Sequence, residues 1–399
     1  MAAHSPFSAH AVPTDLVPVT PQERVPLIDV LRGVCLFGVL WSNLNDWYMA
    51  SDPVTSLDHA LHWTQEWLVE SRFYSMLGFL FGIGFAIQLT RAAQRGQDVA
   101  TLFLRRMTIL LVFGVVHGML IWQGDILHTY ALLGLALVLF RRLFPRKLLI
   151  AAASVWLLLP FLFTRIVAEL HWNWPPFPFE HAIWVYTHGT WPQTVAQGTK
   201  QFLYMFWRWS LFTFPSFLAL FILGLWALKV DLINRLIHRR TFVLWSLFGA
   251  LICWAAAQSL LMKINPPRSS ILFCLDDATT WANSAVYALI FALLTSFPVI
   301  AKRLQPLAAL GRMTLTTYLV QSLVCTTLFY HWGFGLMGKT NYTGMLAGFV
   351  FTADCLQLVV VEALSLWLDG MVVAIARLRQ EIAEPFLAAI VLGVKTACC

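Results

Sequence analysis

The chain has few charged residues and lacks the sequence patterns on which many soluble enzymes depend. Asp, Glu, Lys and Arg together make up 12% of its 399 residues, whereas hydrophobic residues make up 59%. It contains no glycine-rich phosphate loop, no G-x-S-x-G nucleophile motif and no dinucleotide-binding fingerprint. This balance excludes a soluble globular domain and indicates a chain that lies in a membrane.

Cysteine spacing gives no sign of a disulfide framework or a metal site. The seven cysteines fall in apolar stretches, in one connecting segment or at the end of the chain. Neither a C-x-x-C nor an H-E-x-x-H pattern occurs. We therefore interpret the cysteines as small core residues or lone thiols, and we predict no metal.

Apolar stretches long enough to cross a bilayer of about 30 Å recur along the chain. Their hydrophobic runs are continuous rather than alternating, which favours helices over the strands of a membrane barrel. We predict an all-α polytopic membrane protein with about ten transmembrane helices. The predicted spans are residues 27–48, 73–90, 103–122, 127–140, 148–170, 202–228, 242–262, 281–300, 307–330 and 343–367.

One membrane domain is predicted to fill most of the chain. Residues 23–370 are assigned to a single transmembrane helical domain, residues 1–22 to a flexible cytoplasmic tail and residues 371–399 to a divergent C-terminal segment. The tail has no basic region joined to a short apolar core, so we do not expect a cleaved signal peptide. The connection over residues 171–200, rich in proline, tryptophan and histidine, is interpreted as a folded lid or as an ordinary interfacial aromatic belt.

Basic and non-basic connections alternate along the chain. The segments around residues 91–95, 141–147, 229–240 and 302–312 are basic, and those between them are acidic or nearly uncharged. Because Lys and Arg in short loops are retained in the cytoplasm, we predict that both termini are cytoplasmic. This asymmetry accounts for the net charge of +7, so we expect no nucleic-acid partner.

Two ionisable residues stand out within the apolar runs. His117 lies inside an apolar stretch, and Asp125 lies in the short turn that follows it. Such groups at membrane depth are rare and usually functional. An imidazole can take a proton from a hydroxyl or an amine, and a carboxylate can orient that imidazole. We predict catalytic proton transfer, although a hydrogen bond to a neighbouring helix and a helix cap explain the same residues without catalysis.

Further polar residues are predicted to converge on the same cavity. Asn43 ends the first span, Arg72 and Ser75 begin the second, Tyr130 begins the fourth, and Arg208 lies early in the sixth. We expect Arg72 or Asn43 to stabilise an oxyanion, and the other three side chains to contact the acceptor. Snorkelling to the interface or structural pairing with a carboxylate explains the arginines equally well.

A second group of charged residues lies near the predicted cytoplasmic face. Asp29 and Arg32 are three residues apart and so share one face of the first helix. Together with Arg105, Arg106 and Arg312, they are predicted to bind the phosphates of a cofactor. Retention of positive charge in the cytoplasm explains each arginine as well.

Four ordered segments resemble the YeiB-like family of bacterial inner-membrane proteins, a domain of unknown function numbered 418. They read RVPLIDVLRGVCLFGVLWSNL, RFYSMLGFLFGIGFA, LRRMTILLVFGVVHGMLIWQGDILHTYAL and GRMTLTTYLVQS, and they lie between Arg24 and Ser322. The resemblance implies a multi-pass protein of the bacterial inner membrane. The fourth segment adds Gln321 and Ser322 as expected acceptor-binding residues.

That family is grouped with transmembrane acyltransferases, and its opening segment is similar to that of lysosomal heparan-glucosaminide acetyltransferases. The resemblance implies transfer of an acetyl or other acyl group from cytosolic acyl-CoA to a hydroxyl or amine at or beyond the outer face. The acceptor would be a glycan, a lipid or a small molecule; membrane lipids are expected partners, and a homo-oligomer is left open. A secondary transporter or channel that uses the same His, Asp and Arg groups is an alternative, as is a non-catalytic family member.

Two departures from these relatives bear on the site. The lysosomal enzymes carry a histidine in the first outer loop, where this chain has His59 and His62 at a different spacing. His117 is therefore assigned from its depth in the membrane and not from an aligned position. The end of the chain lacks a Gly-Pro-x-Glu-Trp-like motif that is usual in the family, which is why residues 371–399 are called divergent.

Overall fold

A computed structural model describes residues 25–48, 55–94, 99–169, 176–263, 270–339, 342 and 344–353. These residues are mainly helical and contain no strand, so the predicted all-α class is confirmed for them. The helices are α1 (Pro26–Tyr48), α2 (Ser56–Thr64), α3 (Arg72–Gln94), α4 (Val99–Leu120), α5 (Leu127–Leu137), α6 (Pro145–Glu169), α7 (Phe179–His188), α8 (Trp191–Lys229), α9 (Leu232–His238), α10 (Arg240–Lys263), α11 (Ser270–Thr295), α12 (Pro298–Arg303), α13 (Gln305–Arg312) and α14 (Thr314–Phe329). A π-helix (Gln65–Val69) continues α2, and a 3-10 turn (Val138–Phe140) continues α5.

Six of the described helices are long and apolar enough to cross a membrane, or up to seven if one bent pair forms a single span. That pair is Thr213–Lys229 with Leu232–His238, which meet at 66°. Shorter apolar helices lie at Leu127–Phe140, Thr314–Phe329 and Gly344–Ala353. The chain is therefore a helical membrane protein, because a lipid-exposed backbone must satisfy its own hydrogen bonds. The number of ten spans and the orientation of the termini stay predictions.

Helix α1 lies in the interior of the bundle and contacts α3, α11, α13 and α14. Its apolar side chains, among them Cys35, Leu40 and Leu44, are fully buried. Helices α6 and α10 are much less buried than α1. Only 11% of the apolar segment of α6 and 6% of that of α10 lie inside the protein. This contrast places α1 in the protein core and gives α6 and α10 the apolar surface expected of helices that face lipid.

Two glycines allow α13 to lie directly against the start of α1. Gly33 faces the backbone carbonyl of Leu307, and Gly311 faces the backbone carbonyl of Asp29. A Cβ atom at either position would overlap backbone atoms, so the close approach requires glycine. Since 307 pairs with 33 and 311 with 29, α13 runs antiparallel to α1.

The predicted continuous span over residues 307–330 is wrong. Helix α13 ends at Arg312 and α14 begins at Thr314, with Met313 between them at φ −116° and ψ 37°, outside helical geometry. The reason is a long-range contact, because the packing of α13 on α1 makes the chain reverse at this point. A hydropathy pattern contains no information about such a contact.

Two further boundaries differ from prediction. Helix α11 begins at Ser270 rather than near residue 281, and α8 begins at Trp191 rather than near residue 202. The start of α8 is fixed by a cap in which the Gln193 side chain accepts the backbone N–H of Thr190 at 2.8 Å. The predicted outer connection over residues 171–200 therefore contains α7 and the first turns of α8.

Three predicted segments fall partly or wholly outside the described residues. These are the tail over residues 1–22, the part of the last span beyond residue 353 and the segment over residues 371–399. The remainder of the predicted domain contains the site described below.

Candidate functional site

Asp125, in the connection between α4 and α5, is held by two imidazoles. Its Oδ1 lies 2.8 Å from His117 Nδ1, and its Oδ2 lies 2.9 Å from His128 Nδ1. The backbone N–H of His128 also donates to Oδ2 at 2.9 Å. All three residues are buried, with exposed fractions of 1% for His117, 6% for Asp125 and 5% for His128. We call these three residues the His-Asp-His network.

The protonation of the network follows from its hydrogen bonds. Burial raises the pKa of Asp125, but the hydrogen bonds from His117 and His128 lower it more, so its pKa lies below the usual value. Asp125 is therefore an ionised carboxylate that only accepts hydrogen bonds, and both Nδ1 atoms must donate. In the neutral form of either imidazole, Nε2 is then the nitrogen that carries the lone pair.

The two Nε2 atoms have different surroundings. Nε2 of His128 lies 3.1 Å from the hydroxyl of Thr129, which donates to it. Nε2 of His117 is buried and has no hydrogen-bond partner. The network thus offers two basic nitrogens, each oriented by the same carboxylate.

A glycine on α4 permits this arrangement. Gly114 faces the backbone of His128 and the carboxylate of Asp125, and a Cβ atom there would overlap the backbone. Asp125 also accepts the backbone N–H of His128, the second residue of α5, although the residue at the N-cap position is Ile126. Asp125 therefore contacts the first turn of α5 as well as both imidazoles.

A cavity of about 610 Å³ lies between α1, α3, α5, α7, α8 and α11. His128 and Asp125 are in its wall, next to the rings of Phe202 and Phe206, whose centroids lie 4.9 and 5.4 Å from the His128 ring. His117 lies outside that wall and packs against the ring of Tyr318 at 5.2 Å. Of the two imidazoles bonded to Asp125, His128 therefore lies at the cavity wall, whereas the predicted base His117 does not.

Three other predicted residues lie at or beside the cavity. Asn43 and Ser75 line it, and the hydroxyl of Tyr74 donates to the side-chain oxygen of Asn43. Tyr130 is buried beside them, and its hydroxyl donates to the backbone carbonyl of Tyr74 at 3.0 Å. The structure therefore joins α1, α3 and α5 through polar contacts next to the network.

Arg72 has a different position from the predicted one. Its Nη1 donates to the carbonyl of Glu66 at 3.0 Å and to the carbonyl of Glu70. Glu66 is the second residue of the π-helix, and Glu70 directly follows the end of that helix. Arg72 does not line the cavity, so its guanidinium stabilises a backbone turn and is not placed to bind an oxyanion there.

Gln321 and Ser322, also predicted as acceptor contacts, do not line the cavity. Gln321 Nε2 donates to the carbonyl of Leu36 at 3.2 Å, which ties α14 to α1. The Ser322 hydroxyl donates to the carbonyl of Tyr318 at 3.2 Å, within α14. Arg208 lies in α8, but its side chain is outside the described residues.

The predicted cofactor residues lie near the start of α1 and along the second half of α3. Arg32 Nη1 is 3.8 Å from the carboxylate of Asp29, and its guanidinium lies beside Gly84 of α3. One helical turn further along α3, Gln88 accepts a hydrogen bond from Arg106 at 2.9 Å. Arg32 and Arg106 therefore flank one face of α3.

The two other predicted arginines are exposed. Arg312 ends α13, directly after the glycine that packs on Asp29, and Arg105 precedes Arg106 on α4. We call Arg32, Arg105, Arg106 and Arg312 the arginine group. Its members lie at the ends of α1, α4 and α13, away from the His-Asp-His network.

Sequence reasoning missed His128 and two carboxylates of the cavity wall. His128 follows Asp125 by three residues, a spacing that places two side chains on one face of a helix. Asp276 and Asp277 were assigned to a connection because carboxylates lower local hydropathy, whereas they lie in α11 and line the cavity. The spacing from Asp125 could have identified His128. The two aspartates could have been identified only by extending the predicted helix from residue 281 back toward Ser270.

Comparisons with known proteins agree with the resemblance found in the sequence. Residues 226–369 match the family model described as "Protein of unknown function (DUF418)". The chain is 30% identical over 359 residues to "Uncharacterized protein YxaH" of Bacillus subtilis (strain 168), covering 82% of this chain and 86% of that protein. It is 27% identical over 362 residues to "Uncharacterized protein YeiB" of Escherichia coli (strain K12), covering 78% of this chain and 85% of that protein. These names assign no activity.

Proposed function

The chain belongs to the YeiB-like DUF418 family, and from that premise we propose that it is an acyltransferase embedded in the bacterial inner membrane. It would move an acetyl or other acyl group from cytosolic acyl-CoA to a hydroxyl or amine acceptor at or beyond the outer face. The observation that carries the proposal is the Asp125 carboxylate holding His128 at the wall of a cavity of about 610 Å³.

The proposal includes the topology. We take the three shorter apolar helices as membrane crossings too, which gives about ten in all with both termini in the cytoplasm. The arginine group then faces the cytosol, the compartment that holds acyl-CoA. Arg32 and Arg106 flank one face of α3 and are the expected contacts for the CoA phosphates.

The chemistry assigned to the network is general base catalysis. The Thr129 hydroxyl first releases its hydrogen bond to His128 Nε2. His128 Nε2 then takes a proton from the acceptor while Asp125 holds its Nδ1–H and stabilises the imidazolium that forms. The acceptor oxygen or nitrogen bonds to the acyl carbon, the carbon–sulfur bond breaks, and the imidazolium proton passes to the CoA thiolate. Asn43, whose side-chain oxygen is engaged by Tyr74, offers its amide N–H group to the oxyanion.

His117 has a positioning role in this account. It binds the second oxygen of Asp125 at 2.8 Å from the side away from the cavity. A buried carboxylate bonded at both oxygens has a fixed orientation, so His128 is held in one tautomer and one ring position.

Binding of acetyl-CoA to the purified protein in detergent, measured by calorimetry, tests the donor. We expect saturable binding with a Kd between about 1 µM and 1 mM, the usual range for enzyme substrates. Desulfo-CoA should bind similarly, since it keeps the phosphates. Arg32→Ala should weaken binding about tenfold, whereas Arg303→Ala, which removes an exposed arginine of α12, should not. Absence of binding at about 1 mM would contradict the proposal.

The break between α13 and α14 favours a second candidate, a secondary transporter. Transporters commonly form substrate sites at interrupted helices, and Met313 interrupts a helical segment beside α1. Uptake of a solute into proteoliposomes in the absence of acyl-CoA, together with no acetyl-CoA binding, would favour this candidate over the acyltransferase.

A further inference from the structure

The cavity beside the network has an acidic wall. Five carboxylates line it: those of Asp46, Glu70, Asp125, Asp276 and Asp277. They come from α1, from the turn before α3, from the α4–α5 connection and from α11, so they surround the space rather than forming one cluster. Among the described residues that line the cavity there is no lysine or arginine. A cleft lined by one sign of charge attracts ligands of the opposite sign.

Nearby positive charge does not balance this wall. Arg72 lies outside it and interacts electrostatically with Glu70 and Asp276, while its Nη1 is engaged by backbone carbonyls. Arg208 belongs to α8, and the side chains described on either side of it line the cavity. Counting both arginines against the five carboxylates still leaves a formal charge of −3.

An unsatisfied acceptor in the same wall is an independent sign of a ligand. Gln65 lines the cavity and is 6% exposed, and its Oε1 has no hydrogen-bond partner. Buried acceptors are nearly always satisfied, so this oxygen calls for a donor from the cavity. Gln65 also begins the π-helix, and Ser71 of the same wall has a left-handed φ of 64°. Such local irregularities concentrate at functional sites.

The cavity suits an organic cation better than a metal ion. Its volume is about 610 Å³, many times the volume of a bare ion, and the rings of Tyr186, Phe202, Phe206 and Trp281 form part of its wall. Within the described ranges, no three His, Cys, Asp or Glu side chains are grouped closely enough to hold a metal. Aromatic faces attract ammonium groups and also contact an aliphatic chain.

We infer that this cavity binds an organic primary amine in its ammonium form, and, resting on the proposed acyl transfer, that this amine is the acyl acceptor. The N–H groups of the ammonium would bond to Gln65 Oε1 and to the carboxylates of the wall. The ammonium first releases one proton to water. Its nitrogen then bonds to the acyl carbon as the carbon–sulfur bond breaks, and a second nitrogen proton passes through His128 to the CoA thiolate. The products are an amide and free CoA.

A matched set of three probes tests the binding claim on the unaltered protein. Hexane-1,6-diamine, hexane-1,6-diol and adipate share a six-carbon chain and differ in charge. Calorimetry with the detergent-solubilised chain should show saturable binding of the diamine, at least about tenfold tighter than the diol, and no binding of adipate. Binding of the diol or adipate as tight as that of the diamine would overturn the inference, and so would no binding of the diamine.

Charge-removing substitutions locate the binding. Asp46→Asn and Asp276→Asn, on two different helices of the wall, should each weaken diamine binding about tenfold. Asp231→Asn removes an exposed carboxylate outside the cavity and should leave the binding unchanged. Equal diamine affinities in all three variants and the parent would place the binding elsewhere and overturn the inference. Displacement of the diamine by stoichiometric Mg²⁺ would identify a metal site instead.

The two proposals fail in different ways. Diamine binding without acetyl-CoA binding leaves the amine site standing and contradicts the acyltransferase, which favours transport of organic cations. Acetyl-CoA binding without diamine binding contradicts the amine site alone and leaves a hydroxyl acceptor for the proposed enzyme.

Discussion

The His-Asp-His network and the arginine group differ in how their polar atoms are satisfied. In the network, buried side chains of α4, of the following connection and of α5 are joined at 2.8 and 2.9 Å. In the arginine group, the closest ion pair is 3.8 Å long and lies within one helix, and three of the four arginines, Arg105, Arg106 and Arg312, are exposed. Burying linked ionisable groups is unfavourable unless each is paired, and here a glycine makes room for them. The exposed arginines need no such arrangement, because water solvates their charges.

In the proposed function, the network carries the chemistry and the arginine group contributes binding or orientation. Substitutions in the network should therefore lower kcat, and those in the arginine group should raise KM or do little.

Asp125→Asn should have the largest effect. An amide still fits the space, but it cannot accept from both imidazoles and cannot stabilise an imidazolium. In catalytic triads such a change lowers kcat by about 10⁴. Release of free CoA thiol by the purified variant measures the loss, and Asp231→Asn, on an exposed turn, is the control. A variant with at least a third of the parental rate would show that the network is only structural.

Substituting the two histidines separately shows which of them acts as the base. His128→Gln removes the base at the cavity and should lower kcat by about 10²–10⁴. His117→Gln removes a contact on the far side of Asp125 and should lower kcat by about 10–100-fold, as losses of outer contacts do. The ratio of the two kcat values is the measurement. If the His117 variant is the slower one, the assignment of the base to His128 is wrong.

Gly114→Ala should disturb the network without removing any of its polar groups. The added Cβ overlaps the backbone of His128, so α4 and α5 must separate, at about 1–3 kcal/mol of stability. Thermal unfolding in detergent and the rate of CoA release both report the change. The control is Gly249→Ala in α10, where a Cβ meets nothing within 4 Å. Equal unfolding temperatures for Gly114→Ala and the parent would contradict the close approach.

Changes in the arginine group should have the smallest effect on turnover. Arg32→Ala and Arg106→Ala should each raise KM for acetyl-CoA about tenfold and leave kcat within about twofold of the parent, because they affect binding alone. Arg312→Ala, at an exposed position, should change KM least. A fall in kcat with unchanged KM would contradict the division between the two regions.

The sequence predicted which residues belong to each region better than it predicted which of them contact one another. The pairing of His117 with Asp125 followed from their shared position at the end of one apolar run, since sequence-adjacent helices meet at their connection. The all-α fold class could also be predicted, because hydropathy is a local property of the sequence. His128 could have been identified from its spacing of three residues from Asp125. His117 was assigned instead because it lies deeper in an apolar run.

Other features depend on long-range contacts that a sequence pattern does not contain. Arg72 reaches the carbonyls of Glu66 and Glu70 because the π-helix lies directly before α3. The break at Met313 depends on Gly311 meeting α1, which is remote in sequence. The acidic wall combines carboxylates from residue 46 to residue 277, so its charge becomes evident only after folding.

Formation of an acylated product tests the proposed acyl transfer directly. Purified protein is incubated with acetyl-CoA and hexane-1,6-diamine, and N-acetyl-diamine is measured by mass spectrometry against the Asp125→Asn variant. The account predicts protein-dependent N-acetyl-diamine in equal amount to released CoA, reduced about 10³-fold or more in the variant. A protein that binds both compounds and forms no N-acetyl-diamine, or a variant that forms it at the parental rate, would contradict the account.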